Sequence, residues 1–239
     1  MISTRWKKRA NWTHGLSPDH VCNPDQLLDN NRRWSQQRLL DDPDFFKRLS
    51  ELRAAEFLWI GCSDSRVPAN EIIGLEPGRV FVHRNVANQV HHTDLNCLSA
   101  AQYAVDVLKV KHIIITGHYD CGGVRAAMEG QHHGIVDNWI RSIRDTYMLH
   151  YDVLESLDED KRLDRLCELN VIRQVDNICH TRIVQNVWAR GDELSVHGWI
   201  YRLKDGLLHD LHVNKSSPKD VAPMYRVTPS ESSAWPAAS

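Results

Sequence analysis

The sequence predicts an α/β domain on a mostly parallel central sheet flanked by helices, with a helical arm before it and an antiparallel strand at its C-terminal end. Three observations carry this reading. The short apolar runs Phe57-Leu58-Trp59-Ile60, Val80-Phe81-Val82-His83 and His112-Ile113-Ile114-Ile115-Thr116-Gly117 have the continuous hydrophobicity of buried strands. Between the second and third, Leu95, Leu98, Ala101, Val105 and Leu108 recur at helical spacing, so strand, helix and strand alternate as in right-handed parallel crossovers. Residues 194–201 and 207–213 flank Lys204-Asp205-Gly206, a hairpin signal that supplies the antiparallel end.

In chain order, residues 1–50 read as an N-terminal helical arm, 51–213 as the α/β domain and 214–239 as a flexible tail or wrapping arm. Pro24 suits a first helical turn, and Leu27, Leu28, Trp34, Leu39 and Leu40 mark a helix to about Leu40. Asp41-Asp42-Pro43 interrupts it and starts a second helix bearing Phe45, Phe46, Leu49 and Leu52. Thr93 is the expected cap of a single helix reaching about Lys109. One helix is expected over 121–128, another over 135–150, and a long helical run over 158–190 that Gly191 ends. After Lys215 Ser, Pro and Ala predominate with no apolar period.

Bulk composition narrows the function classes. Among 239 residues the charges nearly cancel, with a net charge of -2, and no basic stripe marks a nucleic-acid partner. The 6 cysteines lack the dense spacing of a secreted disulfide scaffold and read as reduced thiols. No apolar run has the length of a membrane span, so a cytoplasmic protein without a membrane partner is expected. Arg5, Lys7, Lys8 and Arg9 precede the first acid, Asp19, which leaves an organelle-targeting start open beside an ordinary basic tail.

Chemistry gathers at two strand ends, where open parallel sheets hold their ligands. The first strand runs through Gly61 into Cys62, Asp64 and Arg66; the third runs into His118-Tyr119-Asp120-Cys121. Two sulfurs and one imidazole suit zinc, which favours tetrahedral Cys/His sites. Three protein ligands with one exchangeable position make a catalytic site and four fixed ligands a structural one, and Asp64 is close enough in sequence to fill or vacate the fourth place. Blander readings stand beside this one: Cys62 as a small buried hydrophobe, His118 as an ordinary loop histidine, Asp64 and Arg66 as a surface ion pair. His91-His92 and His132-His133 read as solvated loop positions, and the remaining cysteines, 22, 97, 167 and 179, as packing residues. Gly122-Gly123 does not complete a phosphate loop.

Residues 59–67, 83–90, 93–107, 117–123 and 195–201 together resemble the β-class carbonic anhydrases, in register from about Phe45 to Val213. The pairing of Cys-x-Asp-x-Arg with a later His-x-x-Cys is the specific part. The resemblance implies reversible hydration of carbon dioxide to bicarbonate and a proton, with zinc as cofactor held by Cys62, His118 and Cys121 and a homodimer or homotetramer as the assembly. It implies that Asp64, held by Arg66, orients the nucleophile, and that Phe81, Val86 and Tyr103 line the substrate pocket, partly from a partner subunit. It further places Trp59, Arg84 and Tyr201 at the positions of a noncatalytic bicarbonate site found in one subgroup. There the bound anion favours a closed state in which the aspartate ligates zinc. Two departures stand out: Arg53 replaces the glutamine usual nine positions before the first cysteine, and Asp120 is an acid where many relatives have a small or amide residue. The rival expectations are a carbon disulfide or carbonyl sulfide hydrolase on the same fold and a non-catalytic zinc-stabilised regulatory module.

Overall fold

The computed structural model describes residues 23–51 and 55–227, and the chain forms two compact units, 1–52 and 53–239. Arg5, Lys7, Lys8, Arg9, Cys22, Arg53 and residues 228–239 lie outside the described residues.

In the first unit, helix α1 (Pro24–Asp41) starts at Asn23, whose side chain accepts the Gln26 N–H at 2.9 Å while the Gln26 side chain accepts the Asn23 N–H at 3.1 Å. This reciprocal cap satisfies donors the first turn leaves open, and Pro24 lacks an N–H there to waste. Helix α2 (Phe45–Glu51) packs on α1 through edge-on contacts of Trp34 with Phe45 and Phe46, centroids 6.4 and 5.7 Å apart.

The second unit runs β1 (Phe57–Cys62), α3 (Ala69–Ile72), β2 (Val80–Asn85), α4 (Leu95–Gln102), β3 (His112–His118), α5 (Gly122–Glu129), α6 (Val136–Trp139), α7 (Arg141–Leu149), α8 (Tyr151–Glu155), α9 (Glu159–Cys179), α10 (Arg182–Ala189), β4 (Ser195–Arg202) and β5 (Leu207–Asp210). The sheet order is β2-β1-β3-β4-β5, parallel except for the β4–β5 hairpin. Leu58, Ile60, Ile113, Ile115 and Val196 turn one face of the sheet into a core shared with α4, α9 and α10. Trp59 and Ile114 turn to the other face, with Trp199 and Leu208 beside them.

Helix boundaries depart from the periodicity in four places. The cap of α4 is Asp94, whose carboxylate accepts the Asn96 N–H at 3.0 Å, rather than Thr93. The helix expected to reach Lys109 widens after Gln102 into a π-turn over Tyr103–Val107, closed by the Leu108 N–H on the Tyr103 carbonyl at 3.1 Å. The runs over 135–150 and 158–190 are each split, the first at Ile140 and the second at His180-Thr181, where the Thr181 hydroxyl caps α10. Apolar spacing continues across these breaks because both halves face the same core.

The stretch read as a tail or wrapping arm is bound over its described part. Lys215 pairs with Val196 through two backbone hydrogen bonds, Gln185 accepts the Val227 N–H and donates to the Tyr225 carbonyl, and Val221 is buried. Backbone and amide contacts with a single apolar anchor leave no hydrophobic period to read.

Helix α9 lies unusually close to the sheet. A Cβ on Gly117 would stand 2.5 Å from Val171 Cγ2, and one on Gly198 would stand 3.0 Å from Val175 Cγ2 and 2.6 Å from Val213 Cγ2. Gly117→Ala should therefore force α9 outward and destabilise the protein by about 1–3 kcal/mol, read as a lower urea midpoint.

Candidate metal centre

Parallel pairing of β1 with β3 sets Gly61 beside Thr116, so both chains leave the sheet at the same edge. Cys62 ends β1 and His118 ends β3; Cys121 follows one short turn later, just before α5. All three are buried, at 1%, 3% and 1% exposure. Their ligand atoms lie within 4.8 Å of one another.

The geometry fits a tetrahedral metal. Cys62 Sγ and Cys121 Sγ are 3.7 Å apart, too far for a disulfide at about 2.05 Å. Two Zn–S bonds of about 2.3 Å at a tetrahedral angle place their sulfurs about 3.8 Å apart. His118 Nδ1 meets the Tyr119 carbonyl at 3.0 Å, and since a carbonyl only accepts, Nδ1 carries the proton. Nε2 is left with a free lone pair, buried and without a hydrogen-bond partner among the described residues. Tyr119 in turn donates to Glu168 of α9 at 2.8 Å and has the Arg202 guanidinium 3.8 Å over its ring, which fixes the loop.

The sulfurs are electrostatically prepared. The contact with Cys121 favours the Cys62 thiolate and lowers its pKa against the opposing effect of burial, with the Asp64 N–H adding to it. The same contact, with burial, pushes Cys121 up. Cys62 Sγ also accepts the Ala87 N–H at 3.2 Å and the Asp64 N–H at 3.4 Å. Ala87 reaches it from a left-handed turn, with φ of 61° followed by 47° at Asn88, a conformation that costs a non-glycine residue about 1–2 kcal/mol.

Asp64 is exposed beside this group and is not one of its three close donors; its Oδ2 lies over Gly122, 3.4 Å from where a Cβ would be. Among the described residues no hydrogen bond or ion pair joins Asp64 to Arg66. Arg66 contributes instead, after Arg125 at 2.6 Å, to holding the Asp120 carboxyl below its usual range. Phe81 and Tyr103 pack with centroids 5.8 Å apart, and Val86 lies against Gly123. Trp59, Arg84 and Tyr201 share one face of the sheet by register. Arg84 donates to the Ser65 carbonyl at 3.0 Å and the Val67 carbonyl at 2.8 Å.

Sequence reasoning missed the supports of this centre. His91, read as solvated, is half-buried and hydrogen-bonds the Trp139 carbonyl; His92 is exposed, as expected, and meets the Asn177 carbonyl. Gln89, Asn170, Gln174 and Asn177 form a buried amide network; the polar positions 170, 174 and 177, at helical spacing in an otherwise apolar stripe of α9, were its available signal. A second close group, His83, Asp94 and Cys97, differs in kind, because the Asn85 amide faces His83 Nε2 at 3.3 Å while also donating to the Gln89 carbonyl.

Fold and centre together define an α/β protein with a dithiolate–imidazole site at the carboxyl edge of a parallel sheet. Residues 57–208 match the family model for carbonic anhydrase. A carbonic anhydrase of Emericella nidulans is 46% identical over 206 residues, covering 85% of this chain and 90% of the relative. The Coccomyxa β-carbonic anhydrase solved in complex with acetazolamide superposes with a TM-score of 0.79 at 39% identity, covering 84% of this chain and 91% of that one. One of two tetrameric β-carbonic anhydrases from Sordaria macrospora gives 0.75 at 37% identity, over 80% and 98%. The chain belongs to the carbonic anhydrase family, in its β class, and its reaction is the reversible hydration of carbon dioxide to bicarbonate and a proton.

Cobalt(II) added to metal-free protein should produce thiolate-to-cobalt absorption that saturates at one equivalent per chain. Saturation at two would show that the His83, Asp94 and Cys97 group also binds.

Proposed function

We propose that the enzyme works with one zinc per chain, held by the Cys62 and Cys121 thiolates and His118 Nε2, in a homodimer or homotetramer in the cytoplasm. The observation that carries this reading is the buried His118 Nε2, without a hydrogen-bond partner among the described residues and beside two sulfurs 3.7 Å apart. When bound, zinc supplies an acidified water, its pKa lowered far below that of bulk water, to about 7.

The chain's own residues do the rest. Asp64, poised over the start of α5, accepts a hydrogen bond from the nucleophile and sets its lone pair toward the substrate, with Arg66 holding the carboxylate when the site is in use. Phe81, Val86 and Tyr103 offer apolar surface to carbon dioxide, which has no dipole to solvate. Val86 and Tyr103 are exposed on the isolated chain, as are Val82, Leu95 and Val107 nearby in sequence, and this supports a partner subunit completing the pocket. Residues 51–213 form the catalytic domain in this reading, with 1–50 an appended arm and 214–239 a wrapping tail.

The same site carries a regulatory reading. Arg84 hydrogen-bonds the loop just after Asp64 and shares a sheet face with Trp59 and Tyr201. Bicarbonate held by these three residues would draw the Arg84 guanidinium off the Ser65 and Val67 carbonyls and free that loop to swing Asp64 onto the metal, closing the site. Such coupling needs two loop states with different anion affinity, which Arg84 supplies.

Stopped-flow carbon dioxide hydration above pH 8 should show turnover in zinc-replete protein, and Asp64→Asn should lower kcat about 100-fold. Inactive protein, or hydrogen sulfide release from carbonyl sulfide without carbon dioxide hydration, would overturn the reading. Bicarbonate should inhibit cooperatively in the wild type and non-cooperatively in Arg84→Ala; identical inhibition curves would defeat the regulatory part.

A further inference from the structure

Two successive peptide units, 86–87 and 87–88, are held by four hydrogen bonds, one of them to a sulfur of the candidate metal centre. The N–H of the 86–87 peptide donates to Cys62 Sγ at 3.2 Å. Its carbonyl, that of Val86, accepts the Trp139 indole N–H at 2.8 Å. The next carbonyl, that of Ala87, accepts both Gln89 Nε2 at 2.8 Å and Asn170 Nδ2 at 3.0 Å.

Each clamp is itself braced. The His91 ring donates to the Trp139 carbonyl at 3.1 Å and stands edge-on to the indole, centroids 4.5 Å apart. Asn170 Oδ1 accepts from Gln89 and Gln174, and Gln89 Oε1 accepts from Ser142 at 2.7 Å. The effort is directed at a turn that alanine does not adopt by preference, with positive φ at Ala87 and Asn88. An unclamped chain would relax φ to a negative value and carry the N–H away from the sulfur.

We propose that Trp139, Asn170 and Gln89 are positioning residues for the Cys62 thiolate, acting through the 86–87 peptide. Trp139 donates to the same peptide group that donates to sulfur, so indole, amide and sulfur form one chain of hydrogen bonds in which each polarises the next. An N–H on a thiolate withdraws charge from it, fixes the direction of its lone pairs and slows its loss of metal. The inference rests on the reading of Cys62 as a zinc ligand.

The test uses the zinc enzyme and its cobalt(II)-substituted form. Trp139→Phe keeps the aromatic bulk and removes the donor; Asn170→Asp keeps the shape and removes the amide N–H on the Ala87 side. In each, zinc should transfer to a chromogenic chelator about tenfold faster than from wild type. The thiolate-to-cobalt band should move to longer wavelength, because a sulfur lone pair without its hydrogen bond is easier to ionise. Unchanged release and an unshifted band would overturn the proposal. So would faster release with an unshifted band, since that is what loosened packing alone produces. If Trp139→Phe fails to fold, Asn170→Asp decides by the same two readouts. Absence of the band in wild-type protein would defeat the zinc-ligand reading instead, which separates the two failures.

Discussion

Two sulfurs held 3.7 Å apart in a dry interior form the constraint on which the rest of this structure depends. Burial disfavours charge on both, yet a metal requires charge on both, so the protein must provide donors and dipoles around them. It does so with backbone. The Ala87 and Asp64 N–H groups reach Cys62, and the turn at the start of α5 presents Cys121. Main-chain donors suit the task because they carry no charge that would compete with the cation.

Holding those backbone groups in place accounts for much of the remaining architecture. Parallel pairing brings the ends of β1 and β3 to one edge, and close packing against Gly117 and Gly198 lets α9 lie low enough to reach over that edge. From there α9 touches both halves of the site, through Glu168 to Tyr119 in one loop and through Asn170 to Ala87 in the other. Its amides Asn170, Gln174 and Asn177 are buried and mutually satisfied, which makes them specific in a way an apolar face would not be.

Most of the fold was legible in the sequence because its strands are continuous apolar runs and its helices repeat apolar positions. The breaks were not, since the apolar register passes through Ile140 and through His180-Thr181 without interruption. In the site, Cys62, His118 and Cys121 could be read from residue type and strand ends. Asp64 could be flagged, but neither its place over Gly122 nor its lack of an ion pair with Arg66 follows from spacing. Ala87 and Trp139 were invisible: the first acts through its main chain and a left-handed φ, the second through a contact with a segment far away in sequence.

The reach of α9 sets the order in which the site can come into being. Cys62, Ala87, His118 and Cys121 leave the ribosome well before Asn170 does, and β4, the strand that flanks β3, follows later still. A nascent chain halted short of α9 carries Cys62, His118 and Cys121 together with Gln89 and Trp139, but lacks the Asn170 amide on the Ala87 carbonyl and the glutamate that anchors Tyr119. A truncated product therefore has the thiols without the full set of contacts that holds the loops around them.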